Sequence, residues 1–213
     1  MKTDSDSNPH KYGFALHTTS PQLGLALSTF TNPSRHQTFE LGRDLSSHLH
    51  IKILEFLQPY SWEDLAFVAV AKGPGSFTST RIGMVTARTL AQQLDIPLFA
   101  ISTLAAVAAQ EEQGSQQPLA VEMAARRNQL FVGIYQASQD GLIEILSDTT
   151  MEAIAWQDTL KDLGNYQLIK TPVNLGYTVT SLLELAQLSW QQGKQTHWSK
   201  ALPFYGQHPV SSC

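Results

Sequence analysis

The fold is decided by residues 67–83, which read Phe67-Val68-Ala69-Val70-Ala71-Lys72-Gly73-Pro74-Gly75-Ser76-Phe77-Thr78-Ser79-Thr80-Arg81-Ile82-Gly83. The first five residues form a short apolar run, a pattern that is typical of a buried strand. The Gly-Pro-Gly sequence then predicts a sharp turn, because glycine reaches positive φ and proline fixes φ. A helix is expected from about residue 80 to residue 93, with Ser76 or Thr78 as its cap.

A turn of this kind has two alternative uses. It can aim backbone amides and a helix N-terminus at an anion, or it can let two backbone segments approach each other closely. The spacing of its glycines and of Ser76 matches neither the Walker A loop nor the nucleophile elbow. On the turn alone, an ordinary strand-to-helix connection is the favoured interpretation.

The whole string is more informative than its parts. Gly73-Pro74-Gly75-Ser76-Phe77-Thr78, followed by Arg81-Ile82-Gly83, resembles the signature of the TsaB family, also called YeaZ. This resemblance implies an actin-like, ribonuclease-H-like fold and a part in making threonylcarbamoyladenosine in transfer RNA. The chain departs from the residues that are usual in the family at His17, Ser79, Thr80, Ala124 and Gln207.

Composition and length set broader bounds. The 213 residues, 42% hydrophobic and 15% charged, fit a soluble protein with one large or two small domains. No apolar run approaches the roughly 20 residues of a membrane-spanning helix. Residues 1–11 lack an apolar signal core and are predicted to be a disordered tail. The only cysteine, Cys213, suits the cytoplasm, and the net charge of −4 argues against a large nucleic-acid footprint on this chain alone.

The order of predicted elements indicates an α/β protein. Three strands form a meander with a turn at residues 31–34, a helix follows over residues 46–57, and strands then alternate with helices. Ser102 is the predicted cap of a helix that runs to about residue 109. Asp140-Gly141 predicts a hairpin before a strand over residues 142–146, and a further helix is expected over residues 179–191. Residues 12–110 are interpreted as a ribonuclease-H-like lobe with a mixed sheet. The polar stretch at residues 110–118 is the predicted boundary, and residues 118–213 are interpreted as a second, reduced α/β lobe.

The sequence offers no catalytic residue, metal site or cofactor site. The resembling family usually has aspartate where this chain has His17, and histidine cannot replace a hard carboxylate ligand of Mg²⁺. The simpler interpretation is a polar residue that ends a strand. His48 and His50 are two residues apart, so on a helix they point to different faces. Ser76 has no base beside it in the sequence.

Two adjacent arginines, Arg126 and Arg127, precede a predicted strand. They could bind a phosphate or a carboxylate of a partner, and a solvated turn is an equally good interpretation. The resembling family has the same arginine pair, preceded by an acidic residue where this chain has Ala124. It also has an arginine near its C-terminal end where this chain has Gln207.

Two predicted helices, at residues 46–57 and 80–93, flank the central strand. The second is apolar on more than one side, so it is either an ordinary core helix or it packs on a further surface. In the resembling family these helices form the interface with the catalytic subunit TsaD, or with a second copy when TsaD is absent. The resemblance therefore implies a partner surface made of Leu49, Ile53, Phe56, Ile82, Val85 and Thr89.

The resemblance implies a non-catalytic scaffold. Such a chain forms a heterodimer with TsaD, works with TsaE as a third, ATP-using member, reaches tRNA indirectly through the complex and does not contact a membrane. The alternative is a stand-alone actin-like kinase or a peptidase-type enzyme. That alternative needs a metal or carboxylate constellation in the cleft, which the sequence does not offer.

Overall fold

The computed structural model describes residues 12–29, 35–112, 114, 117–194 and 196–206. Within these residues, no helix combines the length and the apolar character that crossing a membrane requires. Some sequence-based predictions concern residues outside the described ones: the tail at 1–11, the turn at 31–34, Gln207 and Cys213.

The first sheet contains five strands: β1 (Tyr12–His17), β2 (Gln22–Thr29), β3 (Arg35–Glu40), β4 (Leu65–Ala71) and β5 (Leu98–Ile101). Their order in the sheet is β3-β2-β1-β4-β5. The first three strands form an antiparallel meander, and β4 and β5 run parallel to β1. This arrangement is that of the ribonuclease-H-like fold, and it confirms the predicted fold class.

Helices cover both faces of the first sheet. Large side chains such as Phe14 and Leu16 face the core formed with α1 (Leu45–Leu57) and α2 (Phe77–Leu94). The alternate residues of the strands are mostly alanines, and they face α5 (Val179–Gln191). Because successive side chains of a strand point to opposite faces, both faces of the central strands are buried, which explains the nearly continuous apolar run of β4.

The second sheet consists of β6 (Leu119–Ala124), β7 (Gln129–Ser138), β8 (Gly141–Glu152) and β9 (Gln167–Lys170), in the order β8-β7-β6-β9. Helix α3 (Thr103–Glu111) packs on one face of this sheet and α4 (Ala153–Leu163) on the other. The predicted hairpin at Asp140-Gly141 is confirmed, with Gly141 at φ +113°. Helix α3 also contacts α5, so these two helices lie between the sheets.

The C-terminal part of the chain returns to the first sheet. Helix α5 packs against β1, β2 and β4, although it follows the predicted boundary at residues 110–118. Farther on, Phe204 N–H donates to Lys72 O (2.7 Å) and Leu98 N–H donates to Thr196 O (3.1 Å). The division into two lobes therefore stays a prediction, but the core of the first sheet is completed by residues from both sides of that boundary.

Two predicted boundaries are wrong. Helix α2 begins at Phe77 rather than near residue 80, because Ser76 already takes the N-cap position. Its hydroxyl donates to Ser79 Oγ (3.0 Å) instead of accepting from a backbone amide, so neither Ser76 nor Thr78 acts as the expected side-chain cap. Strand β8 continues beyond the predicted end near residue 146, because β7 pairs with it as far as Glu152.

Candidate functional site

The glycine turn packs directly against the turn that follows β1. Ser76 N–H donates to Thr19 O (2.7 Å), and Thr103 N–H donates to Gly73 O (2.8 Å). A Cβ atom on Gly75 would lie 2.3 Å from Thr19 O, so only glycine permits this approach. Of the two uses expected for the turn, the structure shows the close backbone approach, and it commits the Ser76 amide to a protein carbonyl.

Helix α2 itself also packs on the turn after β1, at Thr18. Thr18 Oγ1 donates to Ser79 O (2.9 Å), and a Cβ atom on Gly83 would lie 2.1 Å from Thr18 Oγ1. The Thr80 hydroxyl donates to Ser76 O (2.7 Å). The side chains of Ser79 and Thr80, two of the departures from the family pattern, therefore both form a hydrogen bond with Ser76 at the start of α2.

His17 ends β1 and has no solvent-exposed area. Neither of its ring nitrogens has a hydrogen-bond partner among the described residues. Burial lowers its pKa to about 3, because the charged imidazolium would lose its hydration inside the protein. The ring is therefore neutral at neutral pH, and it supplies no hard oxygen ligand where the resembling family has a carboxylate.

A second polar cluster joins the two sheets. Ser102 Oγ donates to Asp148 Oδ2 (2.6 Å), and the Tyr135 hydroxyl donates to Asp148 Oδ1. Burial raises the pKa of Asp148, and the hydrogen bonds from Ser102 and Tyr135, together with the positive charge of Lys72, partly oppose that shift. Ser102 also accepts from Ala105 N–H (3.1 Å), which confirms the predicted cap of α3. This use of the Ser102 hydroxyl favours a structural role for the cluster.

Of the residues in this cluster, the sequence predicts only Ser102, as the cap of α3. Asp148 and Tyr135 come from strands of the second sheet, and they meet Ser102 only through tertiary packing. A lone aspartate inside a long strand is the one local signal, because aspartate is depleted in strands.

Large apolar side chains on the neighbouring helices α1 and α2 are exposed. Val85 is 62% exposed, Leu54 51% and Ile51 50%. A groove of about 510 Å³ runs along α2 beside His50, and its walls include Thr78, Arg81 and Leu90. We call the apolar part of this region the α1–α2 surface and define it by Ile51, Leu54, Ile82, Val85 and Thr89.

Half of the predicted partner surface is wrong. Leu49, Ile53 and Phe56 lie in the core under α1, because the apolar stripe of that helix faces the first sheet. A side chain with almost no exposed area cannot contact a second molecule. The outward apolar residues of α1 are Ile51 and Leu54, which lie off that stripe. Ile82 is half-buried, and Val85 and Thr89 are exposed, so these three remain candidates.

Arg126 and Arg127 lie in the exposed turn between β6 and β7. Arg127 takes φ +57°, and each arginine already has an interaction partner within the chain. Ala124 ends β6 just before them. A phosphate or partner contact by this pair stays a prediction. Among the residues that the structure describes, no three His, Cys, Asp or Glu side chains are grouped as metal ligands would be.

Comparisons with known proteins agree on one family. A family model described as TsaD, tRNA N6-adenosine threonylcarbamoyltransferase, matches residues 46–191. The tRNA threonylcarbamoyladenosine biosynthesis protein TsaB of Bacillus subtilis (strain 168) is 39% identical over 102 residues, 47% of this chain and 43% of the relative. TsaB of Escherichia coli (strain K12) is 34% identical over 84 residues, 38% of this chain and 36% of the relative. The matched part thus spans less than half of either relative.

Solved structures show the same fold over nearly the whole chain. YeaZ from Pseudomonas aeruginosa matches with a TM-score of 0.76 and 23% identity, covering 92% of this chain and 99% of that chain. A second structure, described as an uncharacterized protein with similarity to peptidase YEAZ from the same organism, matches with a TM-score of 0.77 and 22% identity over 92% of this chain and 100% of that chain. At these identities the likeness establishes the fold alone.

Gly83→Ala tests the contact between α2 and the β1 turn. Helix propensity alone predicts a gain of about 1 kcal/mol in stability. The 2.1 Å approach of the new Cβ to Thr18 Oγ1 predicts instead a loss of about 1–3 kcal/mol. Denaturant unfolding measures the sign. Adding Thr18→Ala should recover at least about 0.5 kcal/mol of that loss, and a stabilised single variant would contradict the contact.

His17 should make the fold sensitive to acid. Its pKa is about 3 in the folded chain against an ordinary value of 6.5, so the unfolded chain binds more protons between these values. Stability is then full above pH 6.5 and falls as the pH drops toward 3, by up to about 1.4 kcal/mol per pH unit. His17→Leu should flatten this slope in denaturant unfolding between about pH 7 and pH 4.5. Parallel curves for the two proteins would contradict the buried neutral ring.

Proposed function

The chain belongs to this TsaD-type family and, within it, to the TsaB (YeaZ) group, and from that membership we propose that it is a non-catalytic scaffold subunit for threonylcarbamoyladenosine synthesis on tRNA. It would act by forming a heterodimer with TsaD, which carries out the transfer. Its place of action would be the cytoplasm, where tRNA is modified.

The observation that carries this proposal is the α1–α2 surface. Three large apolar side chains stand at least half exposed on neighbouring helices, beside a groove that is itself largely apolar. Single exposed apolar residues are ordinary, but several of them on two neighbouring helices, one of which also lines an apolar groove, favour an interaction site. Two helices of a partner, packed against α1 and α2, would remove this surface from water and complete a helical bundle.

The turns that follow β1 and β4 also favour a scaffold over an enzyme. A kinase of this fold needs a carboxylate at the end of β1 for its metal ion, and His17 stands there with no exposed area. The Ser76 amide, which a phosphate would use, donates to Thr19 O. Both observations concern the place where phosphoryl-transfer chemistry would occur in an actin-like enzyme.

The same surface accounts for the other proposed contacts. Without TsaD, two copies of this chain would bury their α1–α2 surfaces against each other, because each copy leaves the same apolar side chains in water. With TsaD present, the heterodimer would replace that homodimer. TsaE would join as a third member, and tRNA would be held mainly by TsaD.

Val85→Asp should prevent the heterodimer. A carboxylate at the centre of a desolvated apolar contact should weaken association on the order of 100-fold. We would mix each variant with the TsaD of the same organism and measure complex mass by size exclusion with light scattering. Val173→Asp is the matched control, because Val173 is 80% exposed but lies in the loop after β9 and belongs to neither α1 nor α2.

The expected result is a one-to-one complex for the original chain and for Val173→Asp, and separate proteins for Val85→Asp. Leu54→Asp should behave as Val85→Asp does, since Leu54 lies on the same surface. A Val85→Asp variant that still pairs with TsaD would refute the assigned surface. Steady ATP or peptide hydrolysis by the pure chain, lost in Ser76→Ala or Arg81→Ala, would instead support the stand-alone enzyme.

A further inference from the structure

Two segments of this acidic chain carry positive charge only. Residues 72–94 and 196–206 contain Lys72, Arg81, Arg88 and Lys200 but no aspartate or glutamate, although the whole chain has a net charge of −4. The two segments lie together in the fold, because the short 3-10 helix Trp198–Lys200 packs against α2 and Phe204 N–H bonds to Lys72 O. The structure thus gathers cations that the sequence separates by more than 100 residues.

Aromatic rings from both segments lie beside these cations along α2. Arg81 lies over the Phe77 ring at 5.2 Å, and the Phe77 and Tyr205 rings are 5.4 Å apart. Two helical turns farther along, Arg88 lies over the Trp198 ring at 5.8 Å. We name this strip the basic–aromatic ridge and define it by Phe77, Arg81, Arg88, Trp198, Lys200 and Tyr205.

The ridge has charge and ring faces to offer a ligand. Phe77 and Tyr205 are 40% and 44% exposed. Arg81, Arg88 and Lys200 form no ion pair with a carboxylate in the part of the chain that the structure describes. Arg81 and Arg88 are seven residues apart, so about 10 Å of helix axis separates them. That length corresponds to about three stacked nucleotides of a single strand.

We propose that the basic–aromatic ridge binds a short single-stranded segment of RNA. Cations that track phosphates, placed between aromatic rings on which bases stack, are the combination that single-strand binders use. An acidic peptide would satisfy the cations but would leave the ring faces without a partner. This contact goes beyond the proposed function, in which the chain needs no RNA contact of its own. The small size of this RNA contact also agrees with the negative net charge of the whole chain.

Arg88 and Lys200 provide the sharpest test, because neither belongs to the α1–α2 surface. We would titrate the full chain, alone and with equimolar TsaD, into a fluorescent single-stranded RNA of about ten nucleotides and follow its anisotropy. Measurements at about 50 and 200 mM salt give the slope of log affinity against log salt. For three cations on a single strand we expect a slope of about −2, and for the double variant Arg88→Gln, Lys200→Gln about −0.7.

Tyr205→Leu separates stacking from charge. It keeps apolar volume against Phe77 but removes the planar ring, so RNA affinity should fall at least about fivefold with an unchanged salt slope. The matched charge control is the double variant Lys161→Gln, Lys170→Gln. These two lysines lie on the second sheet side of the chain and pair with Asp158 and Glu122. Their loss should leave both RNA affinity and slope as they are.

Three outcomes would overturn the ridge as an RNA site. One is the absence of salt-dependent RNA binding by the chain, both alone and with TsaD. Another is an equal loss in the ridge variants and in the lysine control. The third is displacement of the RNA by polyglutamate of equal charge as effectively as by unlabelled RNA. Light scattering shows whether the double variant Arg88→Gln, Lys200→Gln still pairs with TsaD. Retained pairing separates a failure of the RNA site from a failure of the proposed function.

Discussion

The structure depends on one close approach between backbone segments. The turn after β4 lies against the turn after β1 so tightly that Gly75 has no room for a side chain, and the Ser76 amide donates to Thr19 O. About two turns of helix later, Gly83 lets α2 lie on Thr18. These contacts fix the position and direction of α2. Since α1 packs beside α2 on the same face of the sheet, they also fix the geometry of the proposed docking surface.

The two faces of the first sheet differ in a way that matters for function. The face toward α5 is lined by small residues such as Ala15 and Ala69, which let that helix come close and join the first sheet to α3 and the second sheet. The opposite face carries larger side chains and is covered mainly by α1 and α2. Helices α1 and α2 therefore form an outer layer. An apolar residue on their far side, such as Val85, meets water unless another molecule covers it.

Much of this fold follows from local sequence. The apolar run of β4, the glycines after it, the Asp140-Gly141 hairpin and the Ser102 cap each have a short-range physical signal, and the structure contains all four. Helix α5 was predicted with the bounds that the structure shows, because its apolar stripe is long and regular. The start of α2 was misplaced because its cap position is stabilised by contacts with Thr19, which is distant in sequence.

The candidate sites were less predictable, because they depend on which side of a helix faces the sheet. Leu49 and Ile53 show the same helical spacing whether the stripe meets a core or a partner, so periodicity could not separate these cases. The Ser102–Asp148 contact and the basic–aromatic ridge join residues that are far apart in sequence. No local pattern predicts such contacts, because only folding brings these residues together.

The apolar surface that α1 and α2 present is proposed to be covered by TsaD. Isothermal titration of TsaD into this chain at several temperatures tests it most directly, because burial of apolar surface lowers the heat capacity. Burial of the α1–α2 surface under TsaD predicts one-to-one binding with a clearly negative heat-capacity change that Val173→Asp keeps and Val85→Asp removes. Binding whose heat-capacity change is near zero, or whose affinity and heat-capacity change Val85→Asp leaves unaltered, would contradict it.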